Sequence, residues 1–463
     1  MSQLNLAEGQ TRDQRPRKEL GLSEIRSRVL RLAGPALVEQ IFVTLVGMVD
    51  MMMVGRLGPA AVAAVGLANQ PVNFALGIFI ALNVGTTAVV ARSIGAEQPK
   101  DADHAATQSA ALTLVAGAVA ALLGLMWSRQ ILVFMGADSG IISQGLGYMR
   151  VVSIGFVFMS LAMNLTASLR GAGEMKTTMV VNIVANIVNI LGNYVLIYGN
   201  WGFPRLGVLG AGIATTFARM ITCLLATIVL LRGNARVRMR LKGLLRPDLD
   251  MYKRVLHVGW PAAIEQLVLR SGQMVFVRTV AGLGTVVFAA HQIGMNIMSL
   301  SFMLGQAFGA SATTLVGQSL GAQDPPLAEK CAKQTQLLAA GASMLVSLLF
   351  WTMGRQVVGL YTNDPEVTRW GALVLKIIAF ALPFQTTQFV LRGALRGAGD
   401  TTWPLYATAV GVWGFRVALA YLLGIVLGWG LVGVWLALTL DQMVRALIIT
   451  WRFRQGKWKY ITV

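Results

Sequence analysis

Apolar residues fill long stretches of the chain, and polar residues gather in the short intervals between them. Twelve apolar segments fall at about 32–55, 61–90, 105–127, 146–168, 178–198, 209–231, 258–281, 286–315, 335–354, 371–393, 404–426 and 430–451. A helix crossing the hydrocarbon core of a bilayer needs about 20 mostly apolar residues. The pattern therefore predicts an all-α polytopic membrane protein with about 12 transmembrane helices. Several segments contain Gly and Pro, which membrane helices tolerate better than soluble ones. Residues 1–31 are polar and charged and lack the apolar core of a cleavable signal.

The segments repeat. Gly34-Pro35-Ala36-Leu37-Val38-Glu39-Gln40 is echoed by Trp260-Pro261-Ala262-Ala263-Ile264-Glu265-Gln266, 226 residues later. At the same offset Leu57-Gly58 matches Leu283-Gly284, and Ser93, Gly95, Ala96 and Pro99 match Ser319, Gly321, Ala322 and Pro325. Leu169-Arg170-Gly171-Ala172-Gly173-Glu174 matches Leu395-Arg396-Gly397-Ala398-Gly399-Asp400, still without a gap. The offset contains six spans, an even number, so the two copies run in the same direction. Parallel repeats of this kind give two six-helix lobes related by an axis along the membrane normal.

Composition agrees with the pattern. Of 463 residues 55% are hydrophobic and 13% charged, against roughly 25% charged in soluble domains. A soluble chain of this length would need a polar shell that these residues cannot build. Net charge is +19, from 39 basic and 20 acidic residues. The basic residues lie between spans, so the positive-inside rule accounts for them, and nucleic acid is not an expected partner. Arg232, Arg236, Arg238, Arg240, Lys242, Arg246, Lys253 and Arg254 crowd the middle. Arg12, Arg15, Arg17, Lys18, Arg26, Arg28 and Arg31 crowd the head, and Arg452, Arg454, Lys457 and Lys459 the tail. The expected organisation is a cytoplasmic N-terminal tail (1–31), a first lobe (32–231), a basic cytoplasmic linker (232–257), a second lobe (258–451) and a cytoplasmic tail (452–463). Two cysteines and three scattered histidines give no disulfide framework and no metal spacing. Neither paired Asp motifs nor a Ser/His/Asp set suggests an enzyme.

Charged groups at membrane depth need a reason, because each costs at least about 2.5–3.5 kcal/mol to insert. Asp50 lies deep in the first span, its repeat position is Phe276, and no basic residue lies within a turn on its own helix. It reads as a proton or cation acceptor, or else as a hydrogen-bonded structural acid. Asn182, Asn186, Asn189 and Asn193 are spaced 4, 3 and 4 and share one face of the fifth span. That stripe lines a cavity beside Asp50 or joins helices as amide glue. Glu39 and Gln40 are further cavity candidates. Glu265, the repeat partner of Glu39, is a second candidate coupling site. Arg416 and Asp441 flank the turn between the last two spans at similar depth and predict an ion pair, with Arg445 as a competing partner. Arg270 reads as cavity-facing and Arg278 as snorkelling outward. Arg170 and Arg396 read as latches covering the last carbonyls of their helices. The 22 methionines, Met51, Met52 and Met53 among them, read as a soft binding wall or as ordinary packing.

Taken together, Gly-Pro-x-x-x-Glu-Gln in the first span, Asp50 before Val54-Gly55-Arg56-Leu57-Gly58, and the two Leu-Arg-Gly-Ala-Gly turns resemble the multidrug and toxic-compound extrusion (MATE) transporters in their bacterial branch. The likeness covers about residues 30–451. It implies cation-driven antiport of cationic, amphipathic small molecules, with alternating access of the two lobes. It implies an inner-membrane location and no cofactor, and a monomer is expected. On this likeness Asp50 matches the family's first-span acid and Asn189 its fifth-span Asn. Thr215 matches a sixth-span threonine and Glu265 the seventh-span acid of sodium-linked relatives. Asn193 stands where many relatives carry a second Asp, and residues 371–393 hold no acid. Proton coupling through Asp50 is therefore the first expectation, with sodium as the alternative ion. A lipid-linked precursor flippase of the same superfamily is the alternative function.

Overall fold

The computed structural model describes residues 20–233, 235–240, 243–244, 246–362 and 364–462. Arg12, Arg15, Arg17, Lys18 and Lys242 lie outside the described residues. Every regular element among the described residues is helical. The first half comprises α1 (Leu22–Gly55), α2 (Pro59–Gly95), α3 (Pro99–Met126), a short α4 (Ser128–Phe134), α5 (Ser139–Gly171), α6 (Met175–Tyr198) and α7 (Val208–Arg232). The second comprises α8 (Leu249–Ala281), α9 (Thr285–Gly321), α10 (Pro325–Gly359), α11 (Pro365–Gly397), α12 (Thr402–Ala409), α13 (Ala418–Tyr421) and α14 (Gly430–Gln455). Start signals recur. Pro opens α2, α3, α10 and α11, where its missing N–H is no loss. The carboxylates of Asp138, Asp324 and Asp364 cap α5, α10 and α11.

The repeat is written into the backbone. Gly58 and Gly284, 226 residues apart, turn with φ of 109° and 105°, and Gly173 and Gly399 with 87° and 86°. Two of the three non-glycine exceptions among the described residues match as well, Glu97 at 58° and Gln323 at 57°. Such positive angles strain ordinary side chains, so their pairing reflects one supersecondary design used twice.

Most helices outrun their apolar segments, because polar end turns still close helical hydrogen bonds. α1 begins at Leu22, inside the expected tail, and α8 at Leu249, inside the expected linker. Among the described residues eleven helices are long and apolar enough to cross a membrane. The exception is α8, which is long enough but carries Glu265, Gln266, Arg270, Gln273 and Arg278. The expected eleventh span is not one regular helix. α12 and α13 alternate with π-helical stretches at Val410–Val417 and Leu422–Val426. After α14, Trp458 is fully buried and stacks on Phe453 at 4.9 Å, so the end of the chain folds back. The linker docks on α3: Asp103 accepts from Arg238 N at 2.7 Å, and Gln108 donates to the carbonyls of Gly243 and Arg246. His104 bonds Asp248 at 2.7 Å and holds that carboxyl below its usual range.

The two halves meet at the end that carries the linker. There α2 and α9 touch backbone to backbone: a side chain added at Gly95 would strike the Gln318 carbonyl, and one at Gly321 the Arg92 carbonyl. Thr314 and Gln318 donate to the Arg170 and Gly171 carbonyls at 2.9 and 3.0 Å, and Arg92 reciprocates to Ala398 at 3.1 Å. Gly85 packs on the Val255 carbonyl, and its counterpart Ser311 donates to Val29 at 3.4 Å. Each Leu-Arg-Gly-Ala-Gly turn thus supplies acceptors to the other half.

Candidate functional site

Helices one and five of each half run together in register. In the first half Glu39 on α1 faces Asn182 on α6, and Asp50 faces Asn193, both 143 residues apart. In the second half Glu265 on α8 faces Thr408, and Gln273 faces Arg416, again 143 apart. This pairing lays two polar levels along each lobe.

At the level nearer the linker the lobes match. Glu39 accepts from Arg170 and from Asn182 at 3.0 Å. Glu265 accepts from Arg396 at 2.6 Å and from Thr408 at 3.2 Å. Arg170 and Arg396 are repeat partners, and so are Asn182 and Thr408. The two arginines therefore do not act as caps on their own helices, as expected from sequence. They reach across to the carboxylate of the lobe's first helix, because a buried carboxylate attracts a guanidinium more strongly than exposed carbonyls do. The second lobe adds Arg392, bonded to Glu265 at 3.1 Å and lying over the Phe389 ring. Glu265 is 0% exposed. Gln40, about 100° round α1 from Glu39, is half-buried and joins neither set.

At the far level the lobes part. Asp50 is half-buried among amides. Asn193 Nδ2 donates to it at 2.6 Å. The Asn189 amide, turned with its nitrogen toward the carboxylate, donates to both oxygens at 3.0 Å. A carboxylate only accepts, so this is the orientation its ionised form selects. Thr215 of α7 lies 3.4 Å from the same amide. Tyr148 of α5 and Arg219 of α7 stand within electrostatic reach of Asp50. Tyr198 ties α6 to the Met53 carbonyl at 2.9 Å and fixes the end of the pair far from the linker. Asn186, between the two levels, is half-buried and bonds to neither carboxylate.

The corresponding level of the second lobe holds Phe276 in place of Asp50, and its acid sits on α14. Asp441 accepts from Arg416 Nε at 2.9 Å and Arg445 Nη2 at 2.7 Å, so Arg445 joins the pair instead of competing for it. Arg416 also donates to Gln273 at 3.0 Å and lies 5.9 Å over the Phe276 ring. It rides on the π-helical stretch Val410–Val417, where a side chain at Gly411 would collide with Asp441 and Arg445. Arg270 and Arg278 are both exposed on α8.

Sequence reasoning missed Arg219, Arg392, Thr408, Gln273 and Tyr148. Extending the 226-residue register one helix further would have found the first, since Arg219 pairs with Arg445 and Thr215 with Asp441.

The chain is similar to known proteins. The family model described as MatE matches the chain twice, over residues 35–195 and 261–422. A protein of Thermotoga maritima named as a probable multidrug resistance protein NorM is 31% identical, covering 96% of this chain and 95% of its own. The multidrug resistance protein NorM of Burkholderia vietnamiensis is also 31% identical, covering 91% and 92%. A solved structure titled as the outward-facing conformation of a multidrug resistance MATE family transporter superposes with a TM-score of 0.87. It is 23% identical and covers 94% of this chain and 97% of that one.

Proposed function

The chain belongs to the MatE family of membrane transporters, and from that premise we propose that it exports cationic, amphipathic small molecules in exchange for protons through Asp50. The observation that carries this reading is a contrast among four acids. Glu39, Glu265 and Asp441 each bond at least one arginine. Among the described residues Asp50 has no arginine within ion-pair distance and is held by neutral amides. A carboxylate held this way can accept a proton or a cation without first breaking an ion pair.

The cycle runs as follows. With the lobes open to the outside, Asp50 takes a proton, loses its charge and releases the cationic cargo. With the lobes open to the cytoplasm, it gives up the proton and binds cargo again. One proton entering down 100 mV supplies about 2.3 kcal/mol before any pH term. The basic linker and both chain ends face the cytoplasm in this scheme, the protein sits in the inner membrane, and it works as a single chain. The interlobe contacts at the linker end then close the cytoplasmic side. Glu265, between Arg392 and Arg396, serves the architecture of the second lobe, which leaves sodium coupling without an obvious acid there.

The test is transport of a fluorescent lipophilic cation in reconstituted vesicles under separate proton and sodium gradients. Transport driven by protons alone and lost in Asp50→Asn is expected. Transport driven by sodium alone would move coupling away from Asp50. No cation movement under either gradient would favour a lipid-linked substrate instead.

A further inference from the structure

Both lobes keep an arginine at the same position of their sixth long helix, Arg219 on α7 and Arg445 on α14. In the second lobe its acid lies one turn back on the same helix. Asp441 and Arg445 are buried, bonded at 2.7 Å and closed further by Arg416. In the first lobe the position one turn back is Thr215, and the acid stands on α1 as Asp50. Among the described residues no carboxylate lies within ion-pair distance of Arg219. Yet Arg219 is half-buried in a membrane-spanning helix, where an unpaired charge is costly.

The surrounding bonds place that charge. Thr215 and Arg219 share a face of α7, four residues apart. Thr215 touches the Asn189 amide at 3.4 Å, and that amide bonds Asp50 at 3.0 Å. Arg219 thus stands one helical turn beyond a residue joined to Asp50 through a single amide, and the two charges are within electrostatic reach of each other. The groups facing Asp50 are Tyr148 from α5, Asn189 and Asn193 from α6, and Thr215 and Arg219 from α7. Its own helix offers no ionisable group within a turn. Arg219 is therefore the one fixed positive charge facing this carboxylate among the described residues.

We propose that Arg219 is a resident counter-cation for Asp50, competing with both the proton and the cationic cargo for that carboxylate. When neither is bound, the long arginine side chain approaches Asp50 and stabilises its ionised form. Proton or cargo displaces it. The second lobe shows the alternative outcome, an arginine captured permanently by an acid on its own helix. The proposal rests on the reading of Asp50 as the exchange site. It makes Arg219 a positioning residue that sets how readily that site gives up its proton and which cations win it.

The test is equilibrium binding of tetraphenylphosphonium, a lipophilic monocation, to purified protein over a pH titration. The wild type should bind more tightly as pH rises. Arg219→Gln removes a charge that favours ionised Asp50, so the midpoint should move up by about one pH unit. Above that midpoint affinity should rise several-fold, because a competitor is gone. Arg219→Lys should restore the wild-type midpoint, which a purely packing role would not require. An unshifted midpoint and affinity in Arg219→Gln would overturn the proposal, as would Arg219→Lys behaving like Arg219→Gln. Asp50→Asn separates the two readings. If it keeps the pH-dependent binding, the role of Asp50 itself fails. If it loses that binding while Arg219→Gln changes nothing, only the role of Arg219 fails.

Discussion

At the level of Asp50 the first lobe sets a carboxylate among amides, with its nearest arginine held off. At the equivalent level the second lobe sets Phe276, moves the acid to α14 and clamps it between Arg416 and Arg445. Nearer the linker both lobes bind a glutamate to an arginine of the Leu-Arg-Gly-Ala-Gly turn, and the second adds Arg392. One duplicated scaffold therefore carries a carboxylate bonded only by neutral groups in one copy, where the other copy has only arginine-paired ones at these levels. A buried ion pair is expensive to break and fixes geometry. An acid held by neutral donors can change its charge state without tearing the lobe apart. In the proposed cycle the second lobe is the rigid partner and the first does the exchange.

The comparison can be broken where it is steepest. Asp441→Ala strands two buried guanidiniums and should cost about 3–5 kcal/mol, read as a large fall in thermal stability in detergent. Asp50→Asn should stay within about 1 kcal/mol of wild type while abolishing proton-driven transport. Equal destabilisation by both would erase the distinction between locked and open acids. Next come the matched glutamates. Glu265→Gln leaves Arg392 and Arg396 facing each other, 12% and 13% exposed, without their acid, and should cost about 3 kcal/mol. Glu39→Gln should cost about 1 kcal/mol, because Arg170 is 34% exposed and regains water. Similar losses at the two sites would show that burial does not set the difference.

Two smaller effects sharpen the comparison. Gly95→Ala and Gly321→Ala each push a methyl group into the opposite lobe's backbone. Both should shift the population toward opening at the linker end, and by similar amounts because the contacts are repeat-related. Distances between paired spin labels at that end would measure it. Unequal shifts would mean that the lobes do not share the hinge load. Thr215→Asp rebuilds the Asp441–Arg445 arrangement in the first lobe. It should capture Arg219 and raise the pH at which cargo binds, by less than a full unit, in the binding titration. An unchanged titration would show that Arg219 is not free to be captured.

Much of this architecture is legible in the sequence, for a physical reason. Apolar length reports the lipid thickness, so the spans are visible. Glu39 and Glu265 stand out because a charge inside an apolar run is unusual, and the Asn stripe because its period is that of one helix. What stays hidden depends on partners far apart in the chain. Arg170 and Arg396 look like helix caps until α1 and α8 bring their carboxylates within reach. Arg219 is a charge inside an apolar run like Glu39, but its counterpart is hidden until α1 brings Asp50 toward α7. The π-helical stretch at Val410–Val417 has no propensity signal, since what demands glycine at 411 is the close approach of Asp441 and Arg445 from α14. Helix ends were underestimated because polar turns continue a helix beyond the membrane.

In the proposed cycle Asp50 alone exchanges a proton for cargo. This is tested most directly by adding tetraphenylphosphonium to weakly buffered purified protein and recording proton release. The account predicts release by the wild type and by Glu265→Gln, and none by Asp50→Asn. Release that persists in Asp50→Asn and vanishes in Glu265→Gln would contradict it and place the exchange in the second lobe.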